Sequence, residues 1–166
     1  LERRRGESNA ALTRIEAARA VYDAAGHDEE RDRCDDLWCS VLVDAGFRGR
    51  DLELRMRTVG TDPATLHAIL ITHDHGDHTR GMGVLARRFG VPIYLTAPTR
   101  AACEPLLTGR ECVNHYQSLA PFRIGPFEIM PFLTVHDAAD PVAITVRNVE
   151  TGAKMGVATD LGRPTA

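Results

Sequence analysis

Three histidines and two carboxylates fall within the six positions His73-Asp74-His75-Gly76-Asp77-His78. Imidazole and carboxylate are donors that zinc, manganese and iron all accept. His73 and His75 lie two apart, so an extended segment turns both rings to one side. Asp77 and His78 follow where the chain bends, and can face an adjoining position. Two sets of donors in one loop suggest two divalent ions, zinc by default, with manganese or iron as alternatives. A packed core or a solvated loop explains this mixture of His, Asp and Gly poorly.

Two later positions can complete such a centre. Val135-His136-Asp137 and Ala158-Thr159-Asp160-Leu161-Gly162 each end an apolar stretch on a donor. Alone, each reads as a turn or capping residue. His73 and His75 need a third nitrogen, which His136 can give. Asp77 and His78 supply two donors to a second ion, and Asp160 can bridge both ions because a carboxylate has two oxygens. An oxygen donor at Asp160, where a thiolate would be softer, argues against a β-lactam-cleaving enzyme of the kind that uses cysteine.

The elements that must position these residues follow from periodicity. Ile69, Leu70 and Ile71 form a short apolar run, so 67–71 is a strand feeding the loop. Met82, Leu85, Ala86 and Phe89 recur at helical spacing, predicting one helix over 79–89 whose N-terminus faces the loop and favours an anion, with Arg80 adding charge. Gly90 suits its end. Residues 39–46 are a strand ending in Asp44 and a turn glycine, Gly46. Residues 50–59 are a helix with Leu52, Met56 and Val59 on one face, closed by Thr61-Asp62-Pro63. Residues 91–95 are a strand, a helix runs from Pro98 to about Leu107, and 111–117 is ambiguous, with His115 structural. Beyond this the pattern is β: 122–124, 127–135, 141–149 and 153–159, the last two joined at Glu150-Thr151-Gly152. Val142, Ile144 and Val146 alternate with polar or small residues, so one face is buried. Residues 9–15 form a weak strand, and about 17–37 a charged surface insertion in which His27 is solvated.

At 166 residues, with 43% hydrophobic and 26% charged side chains, the chain suits a single globular α/β domain of layered sheets covered by helices. A formal charge of -3 excludes a global basic field, so a nucleic-acid partner must be held locally. Cys34, Cys39, Cys103 and Cys112 form no C-x-x-C pair, and no signal peptide or long apolar run is present. A reducing cytoplasm and no membrane partner are therefore expected. The chain starts at Leu1 and stops at Ala166 just after a strand, and reads as cut at both ends.

The H-x-H-x-D-H run, the later His136 and the strand-end Asp160 resemble the metallo-β-lactamase-fold hydrolases. Val41-Leu42-Val43-Asp44-Ala45-Gly46, Ala68-Ile69-Leu70-Ile71-Thr72-His73, Pro131-Phe132 with His136-Asp137-Ala138-Ala139-Asp140-Pro141, and Ala158-Thr159-Asp160-Leu161-Gly162 are similar to the YycJ/WalJ-type subgroup. The resemblance covers Val41 to the end. It implies an αββα sandwich, incomplete on its C-terminal side, with a dinuclear centre at the strand ends. It implies His73, His75 and His136 on the first metal, Asp77 and His78 on the second and in catalysis, and Asp160 between them. Asp44 resembles a carboxylate that orients ligand imidazoles, and Asp74, Asp137 and Asp140 are lesser candidates for that role. The family adds one further histidine to the second metal, from a segment beyond the bridging aspartate that this chain does not contain. The implied activity is that of a phosphodiesterase or nuclease on DNA, working through a metal-bridging hydroxide. A thioester or ester hydrolase of the glyoxalase II sort and a non-catalytic metal-binding or regulatory domain are the alternatives.

Overall fold

The structure is a computed structural model, and it describes residues 41–162. The expected strand at 9–15, the insertion at 17–37, His27, Cys34 and Cys39 lie outside the described residues. The first sheet is built from β1 (Val41–Val43), β2 (Ala68–Leu70), β3 (Ile93–Leu95) and β4 (Val113–His115), parallel throughout and in that spatial order. Between its strands run α1 (Gly49–Thr58), a 3-10 turn at Pro63–Thr65, α2 (Gly76–Thr79), α3 (Met82–Phe89), α4 (Ala97–Ala102) and a second 3-10 turn at Glu104–Leu106. The second sheet is an antiparallel meander of β5 (Phe122–Ile124), β6 (Phe127–Leu133), β7 (Val142–Asn148) and β8 (Lys154–Val157).

Period-2 geometry divides β2 and the residue after it between two cores. Ile69 and Ile71 face the helices, packing with Leu52, Met56, Met82, Leu85, Ile93 and Leu95. Ala68 and Leu70 face the second sheet, meeting Ile124, Phe127, Ile129, Val142, Ile144 and Val146. The first sheet is thus apolar on both faces, as a parallel sheet must be. The result is a helix layer on a parallel sheet on an antiparallel sheet, three layers of the expected αββα order. Among the described residues no helix covers the outer face of the second sheet.

The expected single helix over 79–89 is instead two, α2 and α3, parted at Arg80-Gly81. The Gly81 amide leaves the helical ladder to donate to the Ala45 carbonyl at 2.7 Å. A Cβ at Gly81 would lie 2.2 Å from the Phe47 carbonyl oxygen, so glycine permits the contact that breaks the helix. The helix beginning at Pro98 likewise ends early at Cys103 and tightens into the second 3-10 turn. The ambiguous 111–117 segment is the edge strand β4. Gly46 has no positive φ. Its lack of a side chain serves proximity, because a Cβ there would lie 1.5 Å from the Asp77 carbonyl oxygen. Gly90 does close α3 in the left-handed conformation, at φ 71°.

Candidate metal centre

The C-terminal ends of β1 and β2 meet the loops after β6 and β8, and there the predicted donors converge. One atom each from His73, His75 and His136 lie within 4.8 Å of one another, and so do atoms of His73, His78 and Asp160. His73 belongs to both groups. Asp160 Oδ2 stands 2.8 Å from His78 Nε2 and 3.9 Å from His73 Nε2, inside the second group. Asp77 lies just outside them, with Oδ2 3.8 Å from His78 Nε2 and its side chain half exposed. His115, at the end of β4, is exposed and belongs to neither group.

Asp44 organises the deeper rings. Its carboxylate accepts from the Thr72 amide at 2.8 Å, from the Thr72 hydroxyl, and from His78 Nδ1 at 2.8 Å. Because the single hydroxyl proton of Thr72 goes to Asp44, Thr72 Oγ1 accepts from His73 Nδ1, 2.9 Å away. That fixes the His73 tautomer and leaves Nε2 as a bare lone pair. This Nε2 is buried and has no hydrogen-bond partner. A buried polar atom without a partner is costly unless a ligand meets it. Thr72 carried no signal of its own in the sequence beyond its place immediately before His73.

The outer rings obey the same logic. His75 Nε2 donates to the Asp137 carbonyl at 3.2 Å, and His136 Nδ1 faces Asp137 Oδ1 at 3.2 Å. Their remaining nitrogens, His75 Nδ1 and His136 Nε2, face each other at 3.0 Å. At that distance either a proton on His136 Nε2 is shared with His75 Nδ1, or both nitrogens are free to turn to one cation. The three rings pack edge to face, with centroids 4.7–4.9 Å apart. This donor set fits a divalent cation.

Protonation follows position. Burial, reinforced by the neighbouring His78, pushes His73 down from 6.5 to about 4, against the pull of Asp44. It is therefore neutral, and a competent donor, at ordinary pH. For His78 burial also acts downward, but the hydrogen bond to Asp44 and the charges of Asp44, Asp77 and Asp160 prevail and raise its pKa.

Three aspartates at this end of the fold, Asp44, Asp140 and Asp160, have positive φ, at 62°, 49° and 49°. Asp tolerates this region better than most residues, because its short polar side chain bonds locally. The loop carrying His136 is tied down by the other candidates. Asp74 Oδ1 accepts from the Ala139 amide at 2.7 Å, and Asp140 Oδ2 accepts from the Ser118 hydroxyl at 2.8 Å. Asp74 therefore positions backbone and Asp140 anchors its loop to the Ser118 side chain; neither touches an imidazole in these contacts. The amide end expected to favour an anion belongs to α2, which begins at Gly76 inside the loop and is four residues long.

Comparison with known proteins agrees with this fold. The chain is 32% identical over 126 residues to the exodeoxyribonuclease YycJ of Bacillus anthracis, covering 74% of this chain and 46% of that protein. It is 44% identical over 64 residues to the exodeoxyribonuclease WalJ of Streptococcus pneumoniae, covering 39% and 24%. The chain thus spans less than half the length of these relatives. Among solved structures, a metallo-β-lactamase of Cronobacter sakazakii superposes with a TM-score of 0.57 at 15% identity, over 69% of this chain and 51% of that one, a likeness of fold. The family model of the metallo-β-lactamase superfamily matches residues 39–142. With the loop donors, the strand-end donors and both sheets arranged as described, the chain belongs to the metallo-β-lactamase superfamily.

Proposed function

We propose that this chain carries the metal-binding part of a phosphodiesterase that hydrolyses DNA. The observation that carries the reading is the pair of adjoining donor groups that meet at His73, one completed by His75 and His136, the other by His78 and Asp160. The similarity to the exodeoxyribonucleases YycJ and WalJ supports a DNA substrate. In this reading His73, His75 and His136 hold one cation, His78 and Asp160 with Asp77 hold a second, and zinc suits the donors best, with manganese or iron also acceptable. When bound, such cations activate water as a nucleophile and neutralise charge growing on the attacked centre and leaving oxygen.

The protein's own part is to hold and aim. Asp44 orients the His78 ring directly and the His73 ring through Thr72, so both imidazoles keep one tautomer. The low pKa of His73 keeps its Nε2 free of a proton. In this reading Asp77, half exposed with Oδ2 3.8 Å from His78 Nε2, takes up a proton at the open side. A phosphodiester gains most from this arrangement, because it is anionic and its transition state gathers charge on oxygen.

The test offers bis-p-nitrophenyl phosphate, a DNA oligonucleotide and a glutathione thioester to the full-length protein loaded with zinc or manganese. Cleavage of the two phosphodiesters, abolished by chelation, is expected. Hydrolysis of the thioester alone would overturn the reading in favour of an ester hydrolase. Bound metal without any turnover would make this a binding domain.

A further inference from the structure

The net charge of the chain is negative, yet its helix layer is not. In residues 48–62 and 80–90 arginines outnumber carboxylates seven to three. Arg48, Arg50 and Arg80 are exposed there and have no ion-pair partner among the described residues. The backbone contacts that part α2 from α3 bring the chain next to Arg80 against the chain next to Arg48. The Gly81 amide donates to Ala45, the Ala45 amide donates to the His78 carbonyl at 2.6 Å, and a Cβ at Gly81 would lie 3.2 Å from the Gly49 amide nitrogen. Arg80 and Arg48 each neighbour a residue of this contact, Arg50 follows in the first turn of α1, and the donor His78 is two residues from Arg80.

From Arg50 a groove of about 610 Å³ opens over the helix layer, lined also by Arg57 and Arg88, with Asp51, Glu53 and Leu54. Glu53 lies 3.4 Å from Arg57 and 2.8 Å from Arg88, so one carboxylate holds two guanidinium groups at the groove. Arg57 also reaches Asp62 at 3.4 Å. Unpartnered arginines beside a site that acts on phosphate oxygens are suited to further phosphates, because the guanidinium fork matches them and stays charged.

We infer that Arg80, Arg48 and Arg50 grip the phosphates of a DNA strand next to the one at the metal centre, with Arg50 at the mouth of the groove along α1. The inference rests on the phosphodiesterase reading and deepens it by naming where the substrate's backbone runs. It also supplies the local basic patch that an acidic chain needs to hold a polyanion.

The test is fluorescence anisotropy on the full-length, metal-loaded protein, with a labelled single-stranded oligonucleotide whose phosphorothioate linkages resist cleavage, over a range of potassium chloride. The variant R48Q/R50Q/R80Q is expected to bind at least about tenfold more weakly, and its log–log salt slope to shrink by about 2, as three lost single-strand phosphate contacts require. The control R110Q/R123Q/R147Q removes the same charge from other parts of the chain and is expected to keep affinity within about twofold. Equal weakening in both variants, an unchanged salt slope in the first, or weakening that tracks metal lost by elemental analysis would each overturn the backbone track. If the wild-type protein binds and cuts DNA while the first variant keeps its affinity, the track alone fails. If the wild-type protein binds no DNA, both readings fall.

Discussion

His73 offers one free lone pair, on Nε2, so it serves a single cation, with His75 and His136. His73→Ala and His136→Ala are each expected to retain roughly half the metal of the wild type by elemental analysis, with His78 and Asp160 keeping theirs. Loss of all metal from either variant would mean that the two cations do not bind independently. Protonation adds a second prediction. An unfolded His73 takes up a proton near 6.5, whereas the folded one resists until about 4. Stability of the protein prepared with chelator is therefore expected to fall as pH drops from 6.5 towards 4. His78 works the opposite way: its raised pKa stabilises the fold below 6.5, and that contribution is lost as pH rises through the folded value. Denaturant midpoints against pH for the wild type, His73→Gln and His78→Gln should diverge in these opposite directions.

Among elements, the metal loop depends on a missing side chain, and the anchoring of α3 on the Glu111 carboxylate. Gly46→Ala would drive a methyl group into the Asp77 carbonyl, which sits 1.5 Å from the position a Cβ would take. A backbone atom cannot rotate away, so the cost is expected to be about 3 kcal/mol in chemical denaturation, with metal affinity lowered alongside. Glu111 ties α3 to the loop before β4, accepting from the Thr108 amide at 3.0 Å and bonding the Arg87 guanidinium. Burial would raise its pKa, but the bonds from its own and the Thr108 amides, from Arg87 and from the Thr108 hydroxyl bring it down to about 2. Its stabilisation is thus complete above the ordinary 4.5 and lost as pH falls towards 2. Glu111→Ala is expected to cost about 2 kcal/mol at neutral pH and much less near pH 2, while leaving metal content unchanged.

At the scale of the molecule, the centre exists because two sheets of different topology are locked at one end. The Val142 amide donates to the Thr72 carbonyl at 3.1 Å, Tyr116 donates its hydroxyl proton to Ile71 at 2.7 Å, and Thr99 donates to Ala139 at 2.8 Å. Asp74 completes the lock by accepting from the Ala139 amide. Asp74→Ala is therefore expected to free the loop that carries His136, weakening metal at the His73, His75 and His136 group about 10- to 100-fold while the His73, His78 and Asp160 group keeps its affinity. Zinc titration with a competing chelator reads the two classes separately, and a uniform loss would show that the loop is held by other means.

By itself, the sequence determined the local chemistry and the order of elements. The donor-rich loop after an apolar strand, the strand-end His136 and Asp160, the helical face of Leu52 and Met56, and the alternation of Val142, Ile144 and Val146 were all legible, because each is a short-range pattern of residue type. The break of the helix at Gly81 and the true role of Gly46 were not legible, since both depend on backbone from distant segments approaching closer than a Cβ allows. The relay from Asp44 through Thr72 to His73, the tautomer it imposes, and the approach of Gly81 to Gly49 likewise appeared only in three dimensions. Periodicity says which face of an element is apolar. Only the packed structure says which other element that face meets, and hence which polar atoms are left in reach of one another.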